Sequence, residues 1–228
     1  MRRGTLLTAL AALSLLSAQA ARAASSSEIA AETARLVQEQ GHVANFWWLP
    51  PEYWILAAKE LELTDSEQAT VAKVFRDYTI IAALDADVTE KKAANMATIA
   101  EVVKHAKFTR GGETLEVLRE VNPEVSKLVP TLVYLLRSSM GQLGGGMRLL
   151  PLSNLDAKGN PVLTADSHGE LVLDYRLKDD GPVHQVRWHA PLTSVVGSHK
   201  CPKGGEALEA SWSYCPWHGV KIEEPAKR

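Results

Sequence analysis

A chain of 228 residues with 25 Lys and Arg, 27 Asp and Glu and a formal net charge of −2 has no basic excess with which to hold nucleic acid or an anionic lipid surface. At 46% hydrophobic and 23% charged residues it has the balance of a globular protein, and two cysteines are too few for a disulfide scaffold.

The first segment reads as an export signal. Arg2 and Arg3 give a positive start, and residues 6–16 form an apolar run too short to span a hydrocarbon core of about 30 Å. Ala21-Arg22-Ala23 then supplies the small-x-small pattern after which a signal peptidase cuts. The paired arginines also raise the twin-arginine route beside the general secretory one, although Met1-Arg2-Arg3-Gly4-Thr5-Leu6 matches the twin-arginine consensus poorly. Cleavage removes Arg2, Arg3 and Arg22 and takes the formal charge from −2 to about −5. No later stretch reaches transmembrane length, so the expected product, starting at Ala24, is a soluble protein of the periplasm or cell surface. The expected organisation is a signal peptide over 1–23, a main domain over 24–199, and a hairpin and tail over 200–228.

Ser25 to Glu28 form a capping box, and Ile29, Ala30, Ala34, Leu36 and Val37 continue a loosely apolar face, which predicts one helix running to Gly41. Pro51 opens a second helix with Trp54, Ile55, Ala58 and Leu61 at helical spacing. Thr64-Asp65-Ser66-Glu67 caps a third, which carries Val71, Val74, Phe75 and Tyr78. Residues 78–84 read as a buried strand, and Asp87 with Glu90 as the cap of a helix through His105. Residues 107–117 read as a tight hairpin about Gly111-Gly112.

Asn122-Pro123-Glu124 opens a further helix with Val125, Leu128, Val129, Leu132, Val133 and Leu136 on one face. Gly141 and Gly144 end it, within the glycines of Gly141-x-x-Gly144-Gly145-Gly146. They follow a helix and precede a strand, the reverse of a phosphate loop, and lack its Gly-Lys-Ser/Thr ending, so they read as cap and turn. Strands over 147–152, 169–177 and 183–192 follow, with turns at Lys158-Gly159-Asn160-Pro161 and Asp179-Asp180-Gly181-Pro182 that imply antiparallel pairing. The class is α+β, with N-terminal helices packed on an antiparallel sheet.

Phe46-Trp47-Trp48-Leu49-Pro50-Pro51-Glu52-Tyr53-Trp54 admits two readings. Trp47, Trp48 and Tyr53 could form a docking surface, since such rings dominate binding hot spots. Alternatively the segment is an interhelical corner whose rings enter the core. Either way Trp54, on the apolar stripe, is expected to be buried, while the adjacent Trp47 and Trp48 cannot share a face.

Cys201-Pro202-Lys203-Gly204-Gly205-Glu206 and Cys215-Pro216-Trp217-His218-Gly219 resemble the facing Cys-Pro-x-Cys-Gly knuckles of a zinc ribbon, which hold one tetrahedral metal. Residues 201–219 carry the resemblance. Gly204 stands where the family has a second thiol, and His218 where it has a fourth. The resemblance brings the two cysteines together, and in an oxidising compartment the expectation is a Cys201–Cys215 disulfide, worth about 3 kcal/mol by loop entropy. The alternatives are zinc held by Cys201, Cys215 and His218, with water or His199 in the fourth position, and two free thiols.

His168, His184 and His189 near Asp166 and Asp174 read as ordinary strand histidines, because Gly-x-Ser-x-Gly, Ser-x-x-Lys and His-Glu-x-x-His are all missing from the sequence. The expected function is that of an exported, non-catalytic binding or structural factor of the cell envelope, without a cofactor, its partner an envelope protein or a small ligand. The alternatives are a periplasmic zinc-binding protein and a hydrolase assembled from scattered residues.

Overall fold

The computed structural model describes residues 24–39, 41–88, 95–124, 127, 134 and 141–222. The expected signal peptide, most of the helix expected after Asn122, and the tail from Glu223 lie outside the described residues. At the start of that helix, the Glu124 N–H donates to Asn122 Oδ1 at 2.9 Å, as a capping asparagine should.

The fold is α+β with antiparallel sheets. Helix α1 (Ser26–Thr33) opens on the expected capping box of Ser25 and Glu28. It does not continue to Gly41. The chain turns at Thr33 into β1 (Ala34–Glu39), which pairs antiparallel with β2 (His42–Leu49) from Ala34 opposite Trp47 to Glu39 opposite His42. Gly41, with φ of 75°, therefore serves a hairpin turn and not a helix end. Within β1 Val37 is buried between exposed Leu36 and Gln38, and the six-residue pairing with β2 supplies the strand's backbone hydrogen bonds.

Helix α2 (Pro51–Glu60) has proline in its first turn, and α3 (Asp65–Phe75) has the Thr64–Glu67 capping box. Trp54 stacks on Phe75 with ring centroids 4.6 Å apart and joins the two. Leu61, expected on the apolar stripe, is exposed.

Strand β3 (Tyr78–Asp87) is the centre of the first sheet, and every residue from Thr79 to Ala86 is buried. A strand covered on both faces needs the continuous apolar run that this segment has. It lies between β2 and β7 (Arg148–Ser153), with the short β4 (Asn95–Met96) against its end. Helix α4 (Ile99–His105) is capped by Thr98 and Glu101, so the helix expected from Asp87 begins a dozen residues later.

The second sheet runs β6-β5-β8-β9, from β5 (Ala106–Arg110), β6 (Glu113–Leu115), β8 (Gly169–Tyr175) and β9 (His184–Ala190). Gly111 and Gly112, at φ of 56° and 87°, make the two-residue turn of the expected hairpin. The sheets meet through one core: Phe46 of β2 packs edge-on against Tyr175 of β8 at 4.8 Å, and the Trp188 indole N–H donates to the Thr33 carbonyl at 2.6 Å.

After β9 comes one helical turn, Thr193–Val196, and then a small unit with its own two-stranded ladder, β10 (His199–Lys200) and β11 (Ala207–Leu208). Among the described residues its strands pair with each other, and its core is separate, formed by Cys201, Leu208, Cys215 and Ile222 with Trp212 and Val220 against it. The Ala210 N–H, donating to Thr193 Oγ1 at 3.0 Å, ties it to the body.

Candidate metal centre

Two turns of the same hydrogen-bond pattern carry the site. In the first, the Gly205 N–H donates to the Cys201 carbonyl at 2.9 Å and the Cys201 N–H to the Glu206 carbonyl at 2.9 Å. In the second, the Gly219 N–H donates to the Cys215 carbonyl at 2.8 Å and the Cys215 N–H to the Val220 carbonyl at 2.9 Å. Gly205 and Gly219 have φ of 77° and 63°, so each knuckle needs a glycine four residues after its cysteine. The equivalence aligns Gly204 with His218.

One sulfur from each knuckle, the His218 ring and the Glu206 carboxylate converge, with their donor atoms all within 4.8 Å of one another. His218 Nδ1 lies 3.3 Å from Cys201 Sγ, 3.5 Å from Cys215 Sγ and 3.8 Å from Glu206 Oε2. A sulfur at about 2.3 Å and a nitrogen at about 2.0 Å from one tetrahedral zinc are themselves about 3.5 Å apart. The spacing matches ligands placed around a single ion, so this cluster can bind a metal.

The expected disulfide is not formed. Cys201 and Cys215 are free thiols, both buried, and both sulfurs face the same His218 nitrogen instead of bonding each other. His199 also departs from expectation: its Nε2 donates to the Ala210 carbonyl at 3.1 Å, and the ring lines a cleft of about 440 Å³ with His168, Trp212 and Lys221. The fourth donor is Glu206, which the sequence reading missed. A Cβ on Gly204 would collide with both Glu206 carboxylate oxygens, so glycine at this position makes room for the carboxylate. The signal was present as an acidic residue directly after a Gly-Gly pair, but only the folded turn shows that it points inward.

Burial pushes the Cys201 thiol up. The backbone N–H groups of Gly204 and Lys203 and the Cys215 side chain outweigh it and hold the thiol below its ordinary value. The Gly204 N–H points at Cys201 Sγ at 3.4 Å. N–H groups aimed at a sulfur favour the thiolate, the form that binds metal.

The aromatic run divides by face. Trp48 is wholly buried and donates from its indole to Thr79 Oγ1 at 2.6 Å, Tyr53 is buried, and Trp47 is half-buried against the core. Trp54 is buried as expected. Exposed rings lie elsewhere: Tyr134 is 70% exposed, and Tyr214 and Trp217 of the hairpin are 58% and 62% exposed, with Trp217 edge-on to Trp212 at 6.0 Å.

His184 Nε2 sits 3.0 Å from Glu39 Oε1, and His189 Nδ1 lies 3.5 Å from Glu170. A second polar group is wholly long-range. Buried Asp85 accepts the Tyr175 hydroxyl on one oxygen and lies 2.5 Å from His42 Nε2 on the other. The hydroxyl is bonded to the acid and not to the imidazole. Burial first, and then the Asp85 bond and charge, raise the Tyr175 hydroxyl far above its usual value, so it stays protonated. This geometry joins the two sheets and does not activate an oxygen nucleophile.

Among the described residues, no helix is long and apolar enough to cross a membrane. No family model matches this chain, and neither does any curated protein or solved structure.

Proposed function

We propose that this chain is an exported zinc-binding protein of the cell envelope, a non-catalytic binding or structural factor whose C-terminal hairpin is stapled by the metal. The observation that carries the reading is the convergence of Cys201, Cys215, His218 and Glu206 from two equivalent knuckles. Two thiolates, an imidazole and a carboxylate form a mixed set that suits zinc, whereas calcium and magnesium want oxygen throughout and copper(I) prefers softer donors. Among the described residues the hairpin's own core holds Leu208 and Ile222 besides the two cysteines, with Trp212 and Val220 against it, and so small a core needs a covalent or metal staple to stay ordered. Tyr214 and Trp217 then stand on a rigid base, placed to dock an envelope protein or a small ligand.

The test is a zinc titration of the reduced mature chain with elemental analysis. One equivalent should bind, and Cys201→Ser and His218→Ala should each abolish tight binding. A reduced protein with two titratable thiols that takes up no zinc would sink the reading. Intact-mass analysis of the secreted product tests export, with a start at Ala24 expected.

A further inference from the structure

The chain contains two cysteines, and both sulfurs belong to the four-donor cluster. Each knuckle holds one cysteine, with Gly204 and His218 three residues after Cys201 and Cys215, so no disulfide can form within a knuckle. The single bridge open to this chain crosses from one knuckle to the other and consumes two of the four donors. The sulfurs lie within 4.8 Å of each other, whereas a disulfide needs about 2.05 Å, so the knuckles must close toward one another. They are held by a two-residue ladder and a small core, a unit that opens locally more easily than the sheets.

We infer that, given the zinc reading above, Cys201 and Cys215 make this a redox-gated metal site in which two-electron oxidation ejects the ion and leaves the hairpin closed by a disulfide. The oxidant is a hydroperoxide. One thiolate attacks a peroxide oxygen, the O–O bond breaks, and a sulfenic acid and a hydroxide (for hydrogen peroxide) result. The second thiolate attacks the sulfenic sulfur, forms the S–S bond and expels a second hydroxide. Two protons from solvent convert both hydroxides to water. The two sulfurs together give up two electrons, and the peroxide accepts them. The neighbouring thiol resolves the sulfenic acid before it oxidises further. His218 and Glu206, the two donors left, do not retain zinc. The same two knuckles stay joined in both states, by the ion when reduced and by the disulfide when oxidised.

The experiment uses the reduced mature chain loaded with one equivalent of zinc and exposed to hydrogen peroxide. Released zinc is read with a chromogenic chelator, and the sulfurs by intact mass and peptide mapping. The expected result is one zinc released per disulfide, a mass loss of two hydrogens, a peptide linking Cys201 to Cys215, and full reversal by reductant plus zinc. Glu206→Gln, which keeps both thiols, should release zinc at lower peroxide and form the same link. Zinc retained after oxidation, oxygen added to the sulfurs, or dimers on a non-reducing gel would each overturn the inference. Failure of the reduced chain to bind zinc at the outset overturns the metal reading itself, so the two failures are distinguishable.

Discussion

Replacing Glu206 by Ala removes the one oxygen donor of the cluster while leaving both thiols and His218 in place. Even outer partners of metal ligands change affinity by about 10–100-fold when mutated, so exchanging a direct carboxylate donor for water should weaken zinc about 100-fold, or about 2.7 kcal/mol. Gly204→Ala should reproduce most of this loss although it removes no donor, because its Cβ occupies the space of the Glu206 carboxylate. Gly204 is not among the residues at positive φ, so alanine adds no backbone strain to the result. Gly204→Cys in the Glu206→Ala background puts a thiolate at the vacated vertex and should restore parental affinity or exceed it. Competition titration against a fluorescent zinc chelator at about pH 7 measures all four proteins under equal protonation of the ligands. If Glu206→Ala and Gly204→Ala both bind zinc as the parent does, the carboxylate is not a ligand and the fourth position belongs to water.

Trp54→Ala should cost about 3–5 kcal/mol in urea unfolding, because the ring is fully enclosed and stacked on Phe75; an unchanged midpoint would show that α2 and α3 do not rely on it. Asp85→Ala strands the Tyr175 hydroxyl and the His42 ring nitrogen in the interior and should destabilise by about 3 kcal/mol, with Asp85→Asn losing less. Equal losses for the two variants would refute the hydrogen-bond account. Burial raises the Glu52 carboxyl above its ordinary value, against the Ala165 N–H bond that lowers it. The folded state therefore binds the proton more readily than the unfolded chain does, and this group's contribution to stability falls as pH rises from the ordinary carboxylate range through the raised value. Glu52→Gln keeps an acceptor for Ala165. The stability of the parent relative to this variant should therefore improve on acidification from about pH 7 to about pH 4; a difference that is flat or of opposite slope would contradict the burial argument.

The sequence by itself determined the features whose causes lie within a few residues. The Ser25–Glu28 and Thr64–Glu67 capping boxes close three residues apart, the Gly111-Gly112 turn rests on two positive φ angles, and the knuckles at Cys201 and Cys215 are local hydrogen-bonded turns. Their geometry is set by neighbours on the chain, so their spelling could be read directly. Tertiary structure decided whatever depends on a distant partner. Residues 34–39 continue a loosely apolar helical face, and pairing with β2, itself held against β3, makes them a strand instead. Asp85 meets His42 across 43 positions and Tyr175 across 90, a convergence that no periodicity encodes. The four-donor cluster shows both regimes in one place. Its cysteines and His218 are spelled by the knuckle turns, whereas Glu206 joins them because the fold brings the two turns face to face and glycine at 204 leaves the carboxylate room to enter.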